Sequence, residues 1–367
     1  MHAELLYRVA LTLVPGIGSV QARLLTYHFG NASAVFSAKK SLLEKIEGIG
    51  TVRATALKAF AEWSRCETEI RFAEKHHITP LFLTDAGYPG RLLHCYDPPT
   101  LLYYKGEADL NAAKIIGIVG TRSKTEYGKA VTDQLLEDLA GHQVLVVSGL
   151  ALGIDAIAHR GALKQQLPTI AVVGHGLDNI YPPEHAHLAK TIVAENGGLL
   201  TEFKSGTRPD KHNFPARNRI VAGLSDVLVV VETAVKGGSM ITAELAAGYN
   251  RDVFAFPGRA SDPQSAGCNH LIRSNQASLI TCAADLLAAT GWSDVKVTPR
   301  KKQQQLFITL TESEQVIVDL LNNQPSLDID AIRQSCRLSV GAIATAILSL
   351  EMQLVIKALP GKQYALL

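Results

Sequence analysis

Four short stretches in the middle of this chain have the composition of anion-binding turns. They are Gly120-Thr121-Arg122-Ser123, Ser148-Gly149, Gly174-His175-Gly176 and Lys236-Gly237-Gly238-Ser239. Each follows an apolar run and precedes a helical pattern. Small residues at a helix start leave backbone N–H groups facing outward with the helix dipole behind them, which favours a negative charge. The first turn reads G-x-x-G-T-R, not the G-x-G-x-x-G of a dinucleotide site, and Arg122 crowds a close-lying pyrophosphate. The second strand ends in Ser148-Gly149, with no acid to hold a ribose hydroxyl. The chain also lacks a G-x-x-x-x-G-K-[ST] phosphate loop. The chemistry predicted is anion binding with no cofactor.

The nature of the anion is suggested by residues 201–226, TEFKSGTRPDKHNFPARNRIVAGLSD. Lys204, Arg208, Lys211, Arg217 and Arg219 gather there around Asp210, in a chain whose net charge is only +2. His212-Asn213-Phe214 sits among them. An aromatic ring amid cations suits single-stranded nucleic acid, whose bases stack and whose phosphates meet arginine. One such stack contributes about 1–3 kcal/mol. Two readings stay open for Phe214: a stacking platform, or a core anchor for the helix carrying Arg217 and Arg219. The arginines have a structural alternative too, in pairing with Asp226, Glu232 or Glu244. As a group these residues are predicted to bind.

Hydrolytic chemistry fits less well. Ser148 is not in a G-x-S-x-G elbow. Asp155 and His159 share a helical face in GIDAIAHRG. They make a conceivable acid–base pair, but the preferred reading is that they bond each other or cap the turn. His76, His77, His185 and His187 have no H-E-x-x-H context, so no metal site is predicted.

These turns need a scaffold. Residues 76–292 alternate short apolar runs with amphipathic stretches. The strands predicted are Leu81–Leu83, Leu101–Tyr104, Ile115–Val119, Val144–Val147, Ile170–Val173, Leu199–Glu202, Val227–Val231 and Val253–Phe256. Unbroken β-branched runs mark strands buried on both faces, and repeated βα units mark a parallel doubly wound sheet. Residues 1–75 look all-helical, and two turns in them rhyme: VPGIGSVQARLL (14–25) and IEGIGTVRATAL (46–57). This pattern resembles the helix-hairpin-helix, although two ordinary glycine caps would give the same residues. A polar linker, 293–305, precedes a tail, 306–367, that reads as a winged helix. In it a Thr311-to-Glu314 capping box opens the first of three helices, and a hairpin with Pro360-Gly361 at its tip closes the domain. Its third helix, SVGAIATAILSLEMQ, has no basic residue, which argues for protein contact over DNA.

The whole chain has 367 residues, 47% hydrophobic and 19% charged, enough for two or three domains with ample core. No uncharged apolar run reaches the length of about eighteen residues that marks a membrane span. Five scattered cysteines without a CxxC pair fit a reducing cytoplasm.

The middle segment resembles the DNA-processing protein A family (DprA/Smf). The matching pieces are YPGRLLHCYDPPTLLYYKG, GIVGTRSKTEYG, VSGLALGIDAIAHRGAL, GLDNIYPPEH, NFPARNRIVAGLSDVLVVVETAVKGGSMITA and VFAFPG, in that order. The resemblance implies an extended Rossmann-like domain that binds single-stranded DNA without a cofactor. It also implies a homodimer that binds the RecA recombinase and loads it on incoming DNA in natural transformation. Carried onto this sequence, the DNA-binding positions are Gly120, Thr121, Arg122, Ser148, Gly149, Lys211, Asn213, Phe214, Arg217, Arg219, Gly237, Gly238 and Ser239. Thr121 keeps the hydroxyl of the family's serine, while the role of Lys236 stays open. Two alternatives remain. KGGSMITAE faintly resembles the Gly-Gly-x-Gly-Thr loop of nucleotide phosphoribohydrolases, but Met240-Ile241 replace its second glycine. An architectural duplex-binding protein would instead use the hairpins and the tail.

Overall fold

The computed structural model describes residues 2–292, 310–322, 324, 326–336, 338–353, 355–359 and 363–366. They form two compact units, Met1–Asp294 and Val295–Leu367. The predicted linker (293–305) and the Pro360-Gly361 tip lie outside the described residues.

The first unit is built on a nine-stranded sheet. Its strands are β1 (Thr79–Phe82), β2 (Leu101–Gly106), β3 (Ile115–Val119), β4 (Leu145–Ser148), β5 (Thr169–Val172), β6 (Gly198–Thr201), β7 (Val227–Val230), β8 (Asp252–Ala255) and β9 (Ser278–Leu279). In space they run β1-β2-β6-β5-β4-β3-β7-β8-β9. From β6 to β9 all pairings are parallel. Each central strand is buried on both faces, as its β-branched run requires. Ile116 and Ile118 pack into one core with Val144, Val146, Val227 and Val229. Ile115 and Val119 pack into the opposite one with Leu145, Val147, Leu228 and Val230.

Two strands depart from the parallel pattern. β2 pairs antiparallel with β6, and β1 antiparallel with β2. Residues 107–114, between β2 and β3, are too few for a helical crossover, which takes about a dozen. β2 therefore ends at the edge where β3 begins and runs the opposite way.

The order of the parallel strands fixes where a ligand can sit. β3 comes first; β4, β5 and β6 are laid to one side, and the chain then returns to place β7, β8 and β9 on the other. Helices flanking such a reversal diverge and leave a crevice at the carboxyl ends of the two central strands. Here those strands are β3 and β7. The first empties into Gly120-Thr121-Arg122 and the second leads on to Gly237-Gly238-Ser239.

The N-terminal helices belong to this same unit. Leu11, Leu25, Leu43 and Ile49 share one continuous core with Phe82 and Leu102. The two rhyming turns are neighbours in space. Gly16 and Gly48 take positive φ of 78° and 82°, a region that costs most other residues strain. Arg53 ties the turns together, donating from Nε to the Gly16 carbonyl (2.8 Å) and from Nη1 to that of Gly48 (2.9 Å).

The second unit holds the helices Glu312–Asn322, Ile329–Ser335 and Val340–Met352, with β10 (Leu327–Asp328), β11 (Ile356–Leu359) and β12 (Gln363–Leu366) in the order β10-β12-β11. The capping box forms: the Thr311 N–H donates to Glu314 Oε2 at 2.7 Å, and the Glu314 N–H to Thr311 Oγ1 at 3.4 Å. Among the described residues no single helix is long and apolar enough to cross a membrane.

Candidate nucleic-acid interface

A pocket of about 490 Å³ opens where the sheet order reverses. Gly120, Thr121 and Arg122 form one wall. This turn is held by its backbone: the Thr121 N–H donates to the Glu232 carbonyl (2.7 Å), and the Thr121 carbonyl accepts from the Ile154 N–H (3.1 Å). The Ser123 N–H turns inward to Thr121 Oγ1 (3.1 Å). Two N–H groups that the sequence offered to an anion are thus already committed. What the turn projects is the Arg122 side chain, which is exposed and lies with its guanidinium carbon 5.3 Å from the centroid of the Phe214 ring. Gly120 is required here, because a Cβ would run into Ile154.

The facing wall is the start of the helix Gly238–Gly248, with Gly237, Gly238 and Ser239 lining the pocket. Ser239 is 6% exposed and its Oγ has no partner among the described residues. An unpaired buried hydroxyl beside a helix N-terminus is suited to an anionic oxygen. Lys236 is exposed and stands apart from the lining.

The third wall is the helix Asn213–Leu224 with the turn before it; the helix brings Phe214 and Arg217 to the pocket, and the turn brings Lys211. Lys211 is exposed, and the loop before it is fastened at three points. Glu69 accepts from the Ser205 N–H (2.8 Å) and Oγ (2.6 Å); Asp178 accepts from the Gly206 N–H (2.9 Å); and the Thr207 carbonyl accepts from the Gly176 N–H (3.0 Å).

Arg217, 5% exposed, lies beneath the pocket floor. Its Nη1 donates to the Val172 carbonyl (3.2 Å) and lies 4.0 Å from Asp155 Oδ2, while its Nε has no partner among the described residues. Gly149 makes room for it: a Cβ there would overlap the guanidinium. Burial lowers the arginine's pKa, against the pull of Asp155 and with a push from Arg122. Burial likewise raises the Asp155 pKa, with Arg217 opposing. Asp155 also accepts from the Ala151 N–H (3.3 Å), so it caps the turn as expected, but its charged partner is Arg217 and not His159.

The pocket therefore brings together Gly120, Thr121, Arg122, Lys211, Phe214, Arg217, Gly237, Gly238 and Ser239. Gly149 lines a smaller adjoining hollow with Arg122, Phe214 and Tyr181. Ser148 ends β4 instead of lying in the turn; it is fully buried, and its Oγ donates to the Ile118 carbonyl (2.6 Å). Asn213 does not line the pocket or the hollow and donates from Nδ2 to the Arg208 carbonyl (3.3 Å). Arg219 lies outside the pocket, paired with Glu202 and Asp97. Two of the three acids foreseen as arginine partners are engaged elsewhere: Asp226 holds Arg91, and Glu232 accepts from the Thr125 N–H and hydroxyl. Tyr181 lines the adjoining hollow and was not singled out by the sequence, while Asp155 was read only as a turn cap or a partner of His159 and not as a pocket residue. The one signal for Tyr181 was an aromatic in a proline-rich loop following a strand.

Below this layer His159 is fully buried, its Nδ1 at 2.7 Å from Thr169 Oγ1. Burial, aided by His185 and Arg217, holds its pKa down at about 3 against an ordinary 6.5. In the unfolded chain His159 takes up a proton below pH 6.5, whereas in the fold it stays neutral until about pH 3. The unfolded state then binds more protons, so stability falls with acidification through that window, by about 1.4 kcal/mol per pH unit at full slope. Urea denaturation from pH 7 to 4 is expected to show a shallower decline for His159→Gln than for wild type. Equal slopes would remove His159 from the acid response.

Residues 79–291 match the model of the DNA recombination-mediator protein A family, and residues 301–362 match the DprA winged helix domain. The chain is 33% identical to Protein Smf of Synechocystis over 99% of both chains. It is 38% identical to the DNA processing protein DprA of Streptococcus pneumoniae over 62% of this chain and 84% of that one. The solved structure of DNA processing protein A from S. pneumoniae superposes with a TM-score of 0.68 at 32% identity, covering 77% of this chain and 97% of that one. That of DNA processing protein A from Helicobacter pylori, which binds single-stranded DNA, gives 0.53 at 34% identity, covering 59% and 97%.

Proposed function

This chain belongs to the DNA recombination-mediator protein A family, and we propose that it binds single-stranded DNA in the crevice between β3 and β7. The observation carrying this reading is the arrangement of cations there. An exposed Arg122 backed by an aromatic ring and an exposed Lys211 stand over the buried Arg217 and the orphaned Ser239 hydroxyl. That set offers bidentate and charge-assisted bonds to phosphate and a π-face to a base, with no element that reads base identity. The likeness to a single-strand-binding protein from H. pylori supports it.

The role proposed is non-enzymatic. Asp155, the carboxylate among the described lining residues, is spent on Arg217 and on a turn N–H, which leaves it a poor general base. By membership of the family, the further proposal is that a cytoplasmic homodimer delivers the bound strand to the RecA recombinase during natural transformation and recombination.

Fluorescence anisotropy of labelled oligothymidine against a matched duplex, at two salt concentrations, tests the reading. Tighter binding of the single strand, weakened by salt, is expected. Duplex preference would move the DNA site to the paired helical turns or the winged helix. Release of free base from nucleoside monophosphates, followed by chromatography, would revive the hydrolase alternative.

A further inference from the structure

We propose that Tyr181 is a second base-stacking residue, standing beside Phe214 so that neighbouring bases of a bound strand each meet an aromatic ring. The proposal rests on the single-strand reading above. Its motivating observation is a large aromatic left 46% exposed at the rim of the hollow that adjoins the phosphate pocket. The two ring centroids are 6.1 Å apart, with planes inclined at 34°. A base sandwiched between parallel rings needs two van der Waals separations, about 7–8 Å. These rings are closer than that and tilted, so they form a side-by-side pair in which each offers its own face.

The loop is built to hold the ring there. The Tyr181 N–H donates to His175 Nε2 (3.2 Å), which requires the His175 proton on Nδ1, where it donates to the Gly176 carbonyl (2.9 Å). Burial lowers the His175 pKa and so keeps this neutral tautomer. On the other side, Pro183–His185 form a short 3-10 turn whose His185 Nδ1 meets the Leu150 carbonyl (2.8 Å). Tyr181 is thus fixed between two buried histidines, each anchored to a backbone carbonyl, yet its ring faces solvent. Gly174 completes the wall: a Cβ there would come within 3.3 Å of Phe214 Cδ1. With Arg122 beside Phe214, cation and rings line one track, and stacking on it tolerates any base because every base has a π-face.

The test measures affinity for oligothymidine and for an abasic oligonucleotide of equal length. Tyr181→Ala is expected to weaken oligothymidine binding by about 5- to 100-fold, leaving abasic binding and the salt slope unchanged, while Tyr181→Phe stays near wild type. Tyr181→Trp is expected to keep affinity and to show its added emission quenched by oligothymidine. An unchanged Tyr181→Ala affinity, an equal loss on the abasic strand, or an unquenched tryptophan overturns the proposal. Arg122→Ala is run alongside. If it loses binding while Tyr181→Ala does not, only this inference falls; if wild type itself ignores oligothymidine, the single-strand reading falls with it.

Discussion

Arg122→Ala is expected to weaken single-strand binding by roughly 10- to 100-fold while leaving the melting temperature of the protein where it was. Hydrogen bonds to a charged partner contribute about 1.5–3 kcal/mol, and the guanidinium can present two of them to one phosphate. Its backing by Phe214 adds orientation: the ring holds the planar group over the pocket mouth. Stability is spared because the side chain is exposed and the turn is held by backbone bonds that alanine retains. Arg122→Lys should recover part of the loss, since it keeps the charge without the planar fork. Losing one phosphate contact should also flatten the plot of log affinity against log salt by about 0.7 for a single strand. Anisotropy titrations at several salt concentrations read both quantities. A folded Arg122→Ala protein with wild-type affinity and slope would take Arg122 out of the interface.

How far the sequence reached depended on whether each feature was local. Ile115–Val119 was read to the residue, because an unbroken apolar run ending in glycine marks its own limits. β9 has two residues, too few to leave a pattern. The direction of β2 was not legible, since a strand's residues do not record which neighbour it joins. The helical start of the chain was parsed as a separate segment, yet its apolar faces complete the core beneath β1 and β2, and an amphipathic helix does not name its partner. The same limit governs the site. Glycine turns and exposed cations could be listed from sequence, but whether an arginine is free or spent depends on contacts far along the chain. Arg219 pairs with Glu202 and with Asp97, 122 residues away. Thr121 shows the limit for backbone groups: only the fold reveals that its N–H already serves Glu232.

Arg217 is where this distinction has its largest consequence, because the same cation faces the pocket and holds up the floor. Arg217→Ala is expected to destabilise the first unit by about 3–5 kcal/mol, since removing one member of a buried pair strands the other as an uncompensated charge. For a unit of this size that corresponds to a fall in melting temperature of roughly 6–20 °C. The variant carries its own pH signature. Burial already raises the Asp155 pKa in the presence of the arginine; without that attraction it rises further. A carboxyl whose folded pKa lies above its unfolded value is penalised once pH climbs past the unfolded value of 3.8. The gap between wild type and Arg217→Ala should therefore widen from acid towards neutral pH. Adding Asp155→Asn to Arg217→Ala should narrow the gap at pH 7 by removing the stranded charge. Gly149→Ala should destabilise the unit as Arg217→Ala does, by forcing a methyl into the space the guanidinium occupies. Chemical denaturation of the four proteins at pH 5 and 7 measures all of this. An Arg217→Ala protein as stable as wild type at both pH values would mean that the 4.0 Å pair does not hold the floor. Arg217 would then have to be counted with Arg122 as a cation kept for the ligand alone.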